Sequence, residues 1–257
     1  MTESPGRRFF DSGDLARWGR EEMPEQGRVT QDWLERTSTN GPSLELGCGR
    51  GILANVAPSY VGIDLAFAPL ARISARTVQA DMERLPFGDE SIRFAFSWAA
   101  LEHVPHPERV LAELERVLAP GGVALLAPAW HCRPWAAEGL EFLPYASLKF
   151  GQRVRKALVP LRTSAAWQGV FELPRRLWRE LRRTRTFEYH ALQPNLDQYL
   201  GTDSDAFVSM DPHAMAFYFA IRGWEVLSHP TRRARFLARH EPVVVRKPRS
   251  EAGRPAR

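Results

Sequence analysis

The stretch Glu45-Leu46-Gly47-Cys48-Gly49-Arg50-Gly51 constrains this chain more than any other, because it closes a short apolar strand, SLEL, on three alternate glycines. Glycines at that spacing let the backbone turn tightly and come close to a ligand. The stretch also opens a helix, whose N-terminus offers unpaired N–H groups to a ligand. The dinucleotide spacing G-x-G-x-x-G would place a third glycine at position 52, which is Ile52. Glu45, two places before Gly47, would repel a pyrophosphate but suits a ligand that carries an ammonium group. A Gly-rich strand-to-helix turn with no ligand is the alternative.

Downstream, short apolar strands alternate with helical stretches. YVGID, TVQAD, IRFAFSW and VALLAP read as strands. Helices are expected at 51–56, 67–76 and 107–118, the last with Val110, Leu111, Leu114, Val117 and Leu118 on one face. Strands separated by helices imply right-handed crossovers and a parallel sheet. Residues 1–42 read as a leading segment with one or two helices, including one at 29–36. The alternation stops at about 130, and 130–195 is rich in Trp, Pro and Arg with helical periodicity. Asp211 as N-cap, Pro212 in the first turn and Gly223 beyond the end mark a further helix. Two more strands follow at 224–228 and 242–245. The final stretch, 247–257, is charged and Pro-containing, and a disordered tail is expected.

Asp64 ends the second strand, 19 residues after Glu45. A carboxylate there can accept both hydroxyl hydrogens of a ribose, which argues for a nucleoside without saying which. Asp81 ends the third, where it can accept from an adenine amine while Met82 covers the base; capping of the next turn is its plain alternative. Three acidic residues at three successive strand ends are hard to explain by capping alone.

In these residues the chain resembles the class I S-adenosylmethionine-dependent methyltransferases, closest to the subgroup acting on small molecules, quinone precursors and lipids. The likeness is carried by LELGCGRG, GIDLA, QADMERLPFGDESIRFAFSWAALEHV and LERVLAPGGVALLAP, over about 43–128. It implies an α/β fold, a Rossmann-like, mostly parallel seven-stranded sheet with helices on both faces, its last strand antiparallel. The domain is expected over 43–246, with a helical cap insertion at about 130–195. The resemblance implies S-adenosyl-L-methionine as cofactor. Glu45, Gly47, Cys48, Gly49 and Gly51 would lie near its methionine part, Asp64 and Leu65 at the ribose, Asp81 and Met82 at the adenine, with Ser97 lining the same pocket.

Methyl transfer from a sulfonium is an in-line displacement driven largely by the cofactor, so the protein supplies orientation and, where the acceptor needs it, a base. His103 in LEHV is the candidate base, since the corresponding position faces the methyl group in similar proteins. Its alternative role is to shape the pocket beside Pro105. Glu102 is not expected to pair with it, by the geometry of helical neighbours. The chain has neither an Asn/Asp-Pro-Pro-Tyr/Phe sequence nor a Pro-Cys nucleophile, which disfavours methylation of nucleic-acid bases.

Acceptor choice is expected to rest with the insertion, which holds Trp130, Trp135, Trp167 and Trp178, and with 199–207. The run LPRRLWRELRRTR places Leu173, Leu177, Trp178 and Leu181 on one helical face, surrounded by Arg175, Arg176, Arg179, Arg182, Arg183 and Arg185. Three readings follow: a cap helix packed on the core with a solvated basic face, contact of the 173–185 helix with an anionic membrane surface or lipid-linked acceptor, or recognition of a phosphate or carboxylate on the substrate. Nucleic acid is disfavoured as a partner because no RNA-binding motif accompanies the arginines. Asp203-Ser204-Asp205 reads as a turn device, and no metal is expected. Two cysteines, Cys48 and Cys132, make no disulfide framework, and the start MTESPGRRFF has no apolar secretory core. A cytoplasmic protein, peripheral to a membrane on the second reading, is the expectation. The expected function is methyl transfer to a small-molecule or lipid-like acceptor, the alternative a non-catalytic S-adenosylmethionine-binding regulatory or assembly protein.

Overall fold

The computed structural model describes residues 11, 22–162, 165–196, 201 and 203–249, without the side chains of 165–168. Its centre is a seven-stranded sheet ordered β3-β2-β1-β4-β5-β9-β8. The strands are β1 (Ser43–Leu46), β2 (Tyr60–Asp64), β3 (Thr77–Gln79), β4 (Ile92–Trp98), β5 (Leu118–Ala127), β8 (Glu225–Val226) and β9 (Val243–Arg246). The first five run parallel; β9 lies antiparallel between β5 and β8. A separate two-stranded pairing joins β6 (His190–Ala191) to β7 (Val208–Ser209). The mostly parallel seven-stranded sheet with an antiparallel last strand is the arrangement expected.

A parallel sheet is covered on both faces, so the inner strands β4 and β5 present apolar side chains to both. Successive residues of β4 and β5 serve opposite cores. Phe94, Phe96, Val123 and Leu125 meet Leu34 and Leu53 on one side. Ala95, Ala124 and Leu126 meet the other side, with α3 (Pro107–Val117) and α6 (Pro212–Ile221). On α3 the stripe Val110, Leu111, Leu114 and Val117 is fully buried, each side chain contributing roughly 1.5–3 kcal/mol relative to exposure. The first face is closed by α1 (Pro24–Thr37), whose Thr30 hydroxyl accepts from Trp98 Nε1 at 3.0 Å. This helix covers the expected 29–36; residues 1–10 and 12–21 of the leading segment lie outside the described residues.

Two expected helices are reduced. Residues 50–55 form turns instead of a helix, with Gly51 N–H donating to Cys48 O, Ala54 N–H to Gly51 O and Val56 N–H to Leu53 O. The chain must return to β2 by Tyr60, and Pro58 cannot extend a helix. In place of 67–76 there is one turn, α2 (Phe67–Leu70), and the chain then runs through turns to β3 at Thr77. Residues 247–249 of the expected tail are placed in the structure. Lys247 Nζ donates to the carbonyls of Glu115 and Leu118 at 2.8 and 2.7 Å, fastening the chain beside β5; residues 250–257 lie outside the described residues.

The insertion contains α4 (Phe150–Arg162) and α5 (Ala165–Arg182), followed by β6 and β7; α7 (Arg232–Leu237) comes later, between β8 and β9. Trp135, Leu140 and Leu148 form a small core of their own within it. The orientation of α5 inverts the packing expected of a cap helix. Arg176 and Arg179 turn inward onto Asp211, while Leu173, Leu177, Trp178 and Leu181 stay exposed. Among the described residues no helix is long and apolar enough to cross a membrane.

Candidate functional site

In an open α/β sheet, ligands bind beyond the carboxyl ends of the strands where the strand order reverses, here between β1 and β4. The loop after β1 occupies that point. Gly47 and Gly49 both hold left-handed backbone, with φ of +72° and +49°. A β-carbon at Gly47 would overlap the Ala100 methyl and stand 3.4 Å from Met82 Cε, so this glycine permits close packing. A β-carbon at Gly49 would meet nothing within 4 Å, so the backbone here borders open space. Gly51 packs on Ile73, and Cys48 is buried with its thiol pushed upward by burial and by the nearby carboxylates of Glu45 and Asp64.

Asp64 ties this loop to the end of β2. Its Oδ2 accepts from Gly49 N–H at 2.8 Å and its Oδ1 from Ala66 N–H at 2.9 Å. A carboxylate has about four acceptor positions, more than these bonds occupy. Burial raises the Asp64 carboxyl against the lowering effect of those two bonds. Leu65 follows at the rim, its carbonyl accepting from Gln79 Nε2.

Glu45 lies beneath the loop, only 4% exposed, and accepts from Tyr60 Oη at 2.5 Å. Burial pushes its carboxyl up to about 8, Tyr60 opposes this and the charge of Asp64 adds to it. Asp81 stands two residues beyond β3, exposed, and its carboxylate accepts from Glu83 N–H at 2.8 Å, so it caps a turn. Ser97 differs from expectation. It has no exposed surface and donates to Leu46 O at 3.0 Å, so it braces β4 on β1 where a pocket-lining hydroxyl was expected.

Beyond β4 a 3₁₀ turn, Leu101–His103, presents His103. Its Nδ1 lies 3.4 Å from Asp205 O and 3.5 Å from Asp205 Oδ2, and its Nε2 lies 3.8 Å from Glu102 Oε1. The expected separation of His103 and Glu102 therefore gives way to a 3.8 Å approach of the two side chains. Glu102 is buried, its carboxyl raised by that burial, and Glu102 Oε2 and Asp205 Oδ2 have no hydrogen-bond partner. Asp205 and Tyr60 were missed as site residues. Asp203 pairs with Arg133 instead, and among the described residues no three His, Cys, Asp or Glu side chains gather to hold a metal.

Residues 44–126, the segment that builds β1 through β5, match the methyltransferase domain family. Over this segment the chain is similar to class I S-adenosylmethionine-dependent methyltransferases. An uncharacterized methyltransferase of Mycobacterium sp. strain KMS is 31% identical over 131 residues, 46% of this chain and 52% of that protein. Phthiotriol/phenolphthiotriol dimycocerosates methyltransferase 1 of Mycobacterium ulcerans is 36% identical over 111 residues, 37% of this chain and 41% of its own length. The chain thus spans about half the length of the curated relatives it matches. Among solved structures, the S-adenosylmethionine-bound amino pentose methyltransferase of Micromonospora echinaspora is 23% identical, with TM-score 0.40, over 46% of this chain and 56% of that one. Within the matched segment, the Gly-rich loop, Asp64 and His103 all lie at the carboxyl ends of the parallel strands.

Proposed function

We propose that this chain transfers a methyl group from S-adenosylmethionine to a small-molecule or lipid-like acceptor. The observation that carries this reading is the left-handed Gly49 backbone bordering open space at the switch point, tied directly to Asp64. The residues fit the cofactor. Asp64 retains acceptor capacity for ribose hydroxyls, and Met82 stands beside Gly47 where a base would be covered. A ligand ammonium would draw Glu45 back to its charged form. Asp81 reaches an adenine amine only with the oxygen that its turn leaves spare. When bound, the cofactor supplies an activated methyl group. His103 then serves as the base that takes the acceptor's proton, and Asp205 acts as a positioning residue that orients the ring. The mycobacterial relative named for a dimycocerosate lipid, together with the aromatic insertion, supports a lipid-like acceptor.

Calorimetric titration of S-adenosylmethionine and its demethylated product tests the reading. Wild type should bind with micromolar affinity, and Asp64→Ala should weaken binding by at least ~1.4 kcal/mol, tenfold, while keeping its melting transition. No binding by folded wild type would overturn the proposal. His103→Gln should bind normally and lose transfer to acceptors in a lipid extract; undiminished transfer would remove His103 as the base.

A further inference from the structure

A helix on the surface of a globular protein ordinarily turns its apolar stripe to the core and its charges to water. Both insertion helices leave an apolar stripe in water, and α5 reverses the rule outright. On α4, Phe150, Val154 and Leu158 recur at four-residue spacing along one face, and Phe150 is 83% exposed. On α5, Val170, Leu173, Leu177 and Leu181 form a second stripe with Trp178 beside it, Val170 and Leu181 each 65% exposed. The opposite face of α5 is the one that meets the domain, and it is charged. Arg176 donates to Asp211 Oδ1 and Phe236 O, Arg179 donates to Asp211 Oδ2 and Glu188, and Glu180 accepts from Arg232. Ion pairs thus fasten α5 to the protein and leave its apolar side facing out.

Charge surrounds these stripes with one sign. Residues 149–185 contain eleven basic and two acidic side chains, a net +9, whereas the whole chain is +5 and the remainder is therefore net −4. Exposed guanidiniums at Arg153, Arg162, Arg175, Arg182 and Arg183 lie on the same two helices or at their ends. Contiguous apolar surface in water marks an interaction site. Leucine and tryptophan rimmed by arginine match the boundary between acyl chains and anionic headgroups, where the apolar stripe enters the membrane and the guanidiniums meet phosphate. A nucleic acid would use the arginines but leave the leucines and Val170 in water.

We infer that the outward faces of α4 and α5 dock on the surface of an anionic phospholipid bilayer. The inference deepens the lipid-like acceptor reading but does not depend on methyl transfer, since vesicle binding and cofactor binding are measured separately.

Co-sedimentation with vesicles of phosphatidylglycerol and phosphatidylcholine tests it, with phosphatidylcholine vesicles as the neutral comparison. Wild type should sediment with the anionic vesicles and be released by raised salt or by omission of phosphatidylglycerol. The double substitution Leu177→Asn with Leu181→Asn should reduce partitioning ~10-fold and leave cofactor titration unchanged. Val154→Asn with Leu158→Asn should do the same from α4. Wild type remaining in the supernatant, or variants that partition like wild type, would overturn the inference. So would a concentration-dependent dimer in sedimentation velocity that these substitutions dissociate, because the stripes would then belong to a second copy.

Discussion

At the scale of single residues, Glu45 has to be buried to support the Gly-rich loop, yet its proposed use requires a charge. The folded protein holds its carboxyl protonated up to about 8, while an unfolded chain releases that proton near 4.5. Between those values the folded state binds more protons, so stability falls as pH rises through that window. Glu45→Gln keeps an acceptor for Tyr60 and removes this titration. The thermal midpoint of the cofactor-free protein should fall between about pH 5 and 8 more steeply in wild type than in the variant. Parallel slopes would show that Glu45 does not titrate there. Glu45, Gly47, Gly49 and Asp64 were legible in the sequence because one strand-turn unit and the next strand end place all four. Asp205 was not. It reaches His103 from the far side of the insertion, and an Asp-Ser-Asp triplet has the local chemistry of a turn.

Individual elements were legible wherever periodicity and end signals agreed. The helix over 107–118 and the Asp211-capped helix formed where expected, the latter with Asp211 accepting from His213 N–H at 3.0 Å. Periodicity misled at 51–56 and 67–76, where a helical pattern had too few residues before the next strand. It misled differently at α5, because an apolar stripe reveals a helix but does not say which side faces the protein. Here Asp211 decides the orientation. Burial raises its carboxyl, and Arg176 and Arg179 outweigh that and hold it below the ordinary range. Removing one partner of such a buried set strands the others. Asp211→Ala should therefore cost about 3–5 kcal/mol in a denaturant melt, with about 1 kcal/mol more from the lost cap. Asp211→Asn, which retains the cap, should recover only that last part. A loss below about 1 kcal/mol in Asp211→Ala would mean that the arginines find other partners.

Across the whole molecule, the sheet was the most legible feature, because β4 and β5 are apolar on both faces and each of the first four strands is followed by a turn or helix. Charge distribution could be counted but not interpreted, since the sequence cannot show which arginines are consumed inside. The position of β9 has one more consequence. Among the described strands it is the last in the chain, yet it inserts between β5 and β8 and alone of them covers the edge of β5 away from β4. Synthesis from the N-terminus therefore leaves the apolar edge of β5 open until residues 243–246 are available, after the entire insertion has been made. An open edge of that kind is a template for other chains. A nascent chain halted anywhere in 128–242 should aggregate, and a version ended after His240 should appear in the insoluble fraction of an expression lysate while the full-length chain stays in the supernatant. Closure of the sheet thus waits on one four-residue strand, and until β9 is in place the unfinished chain carries an edge to which its neighbours can pair.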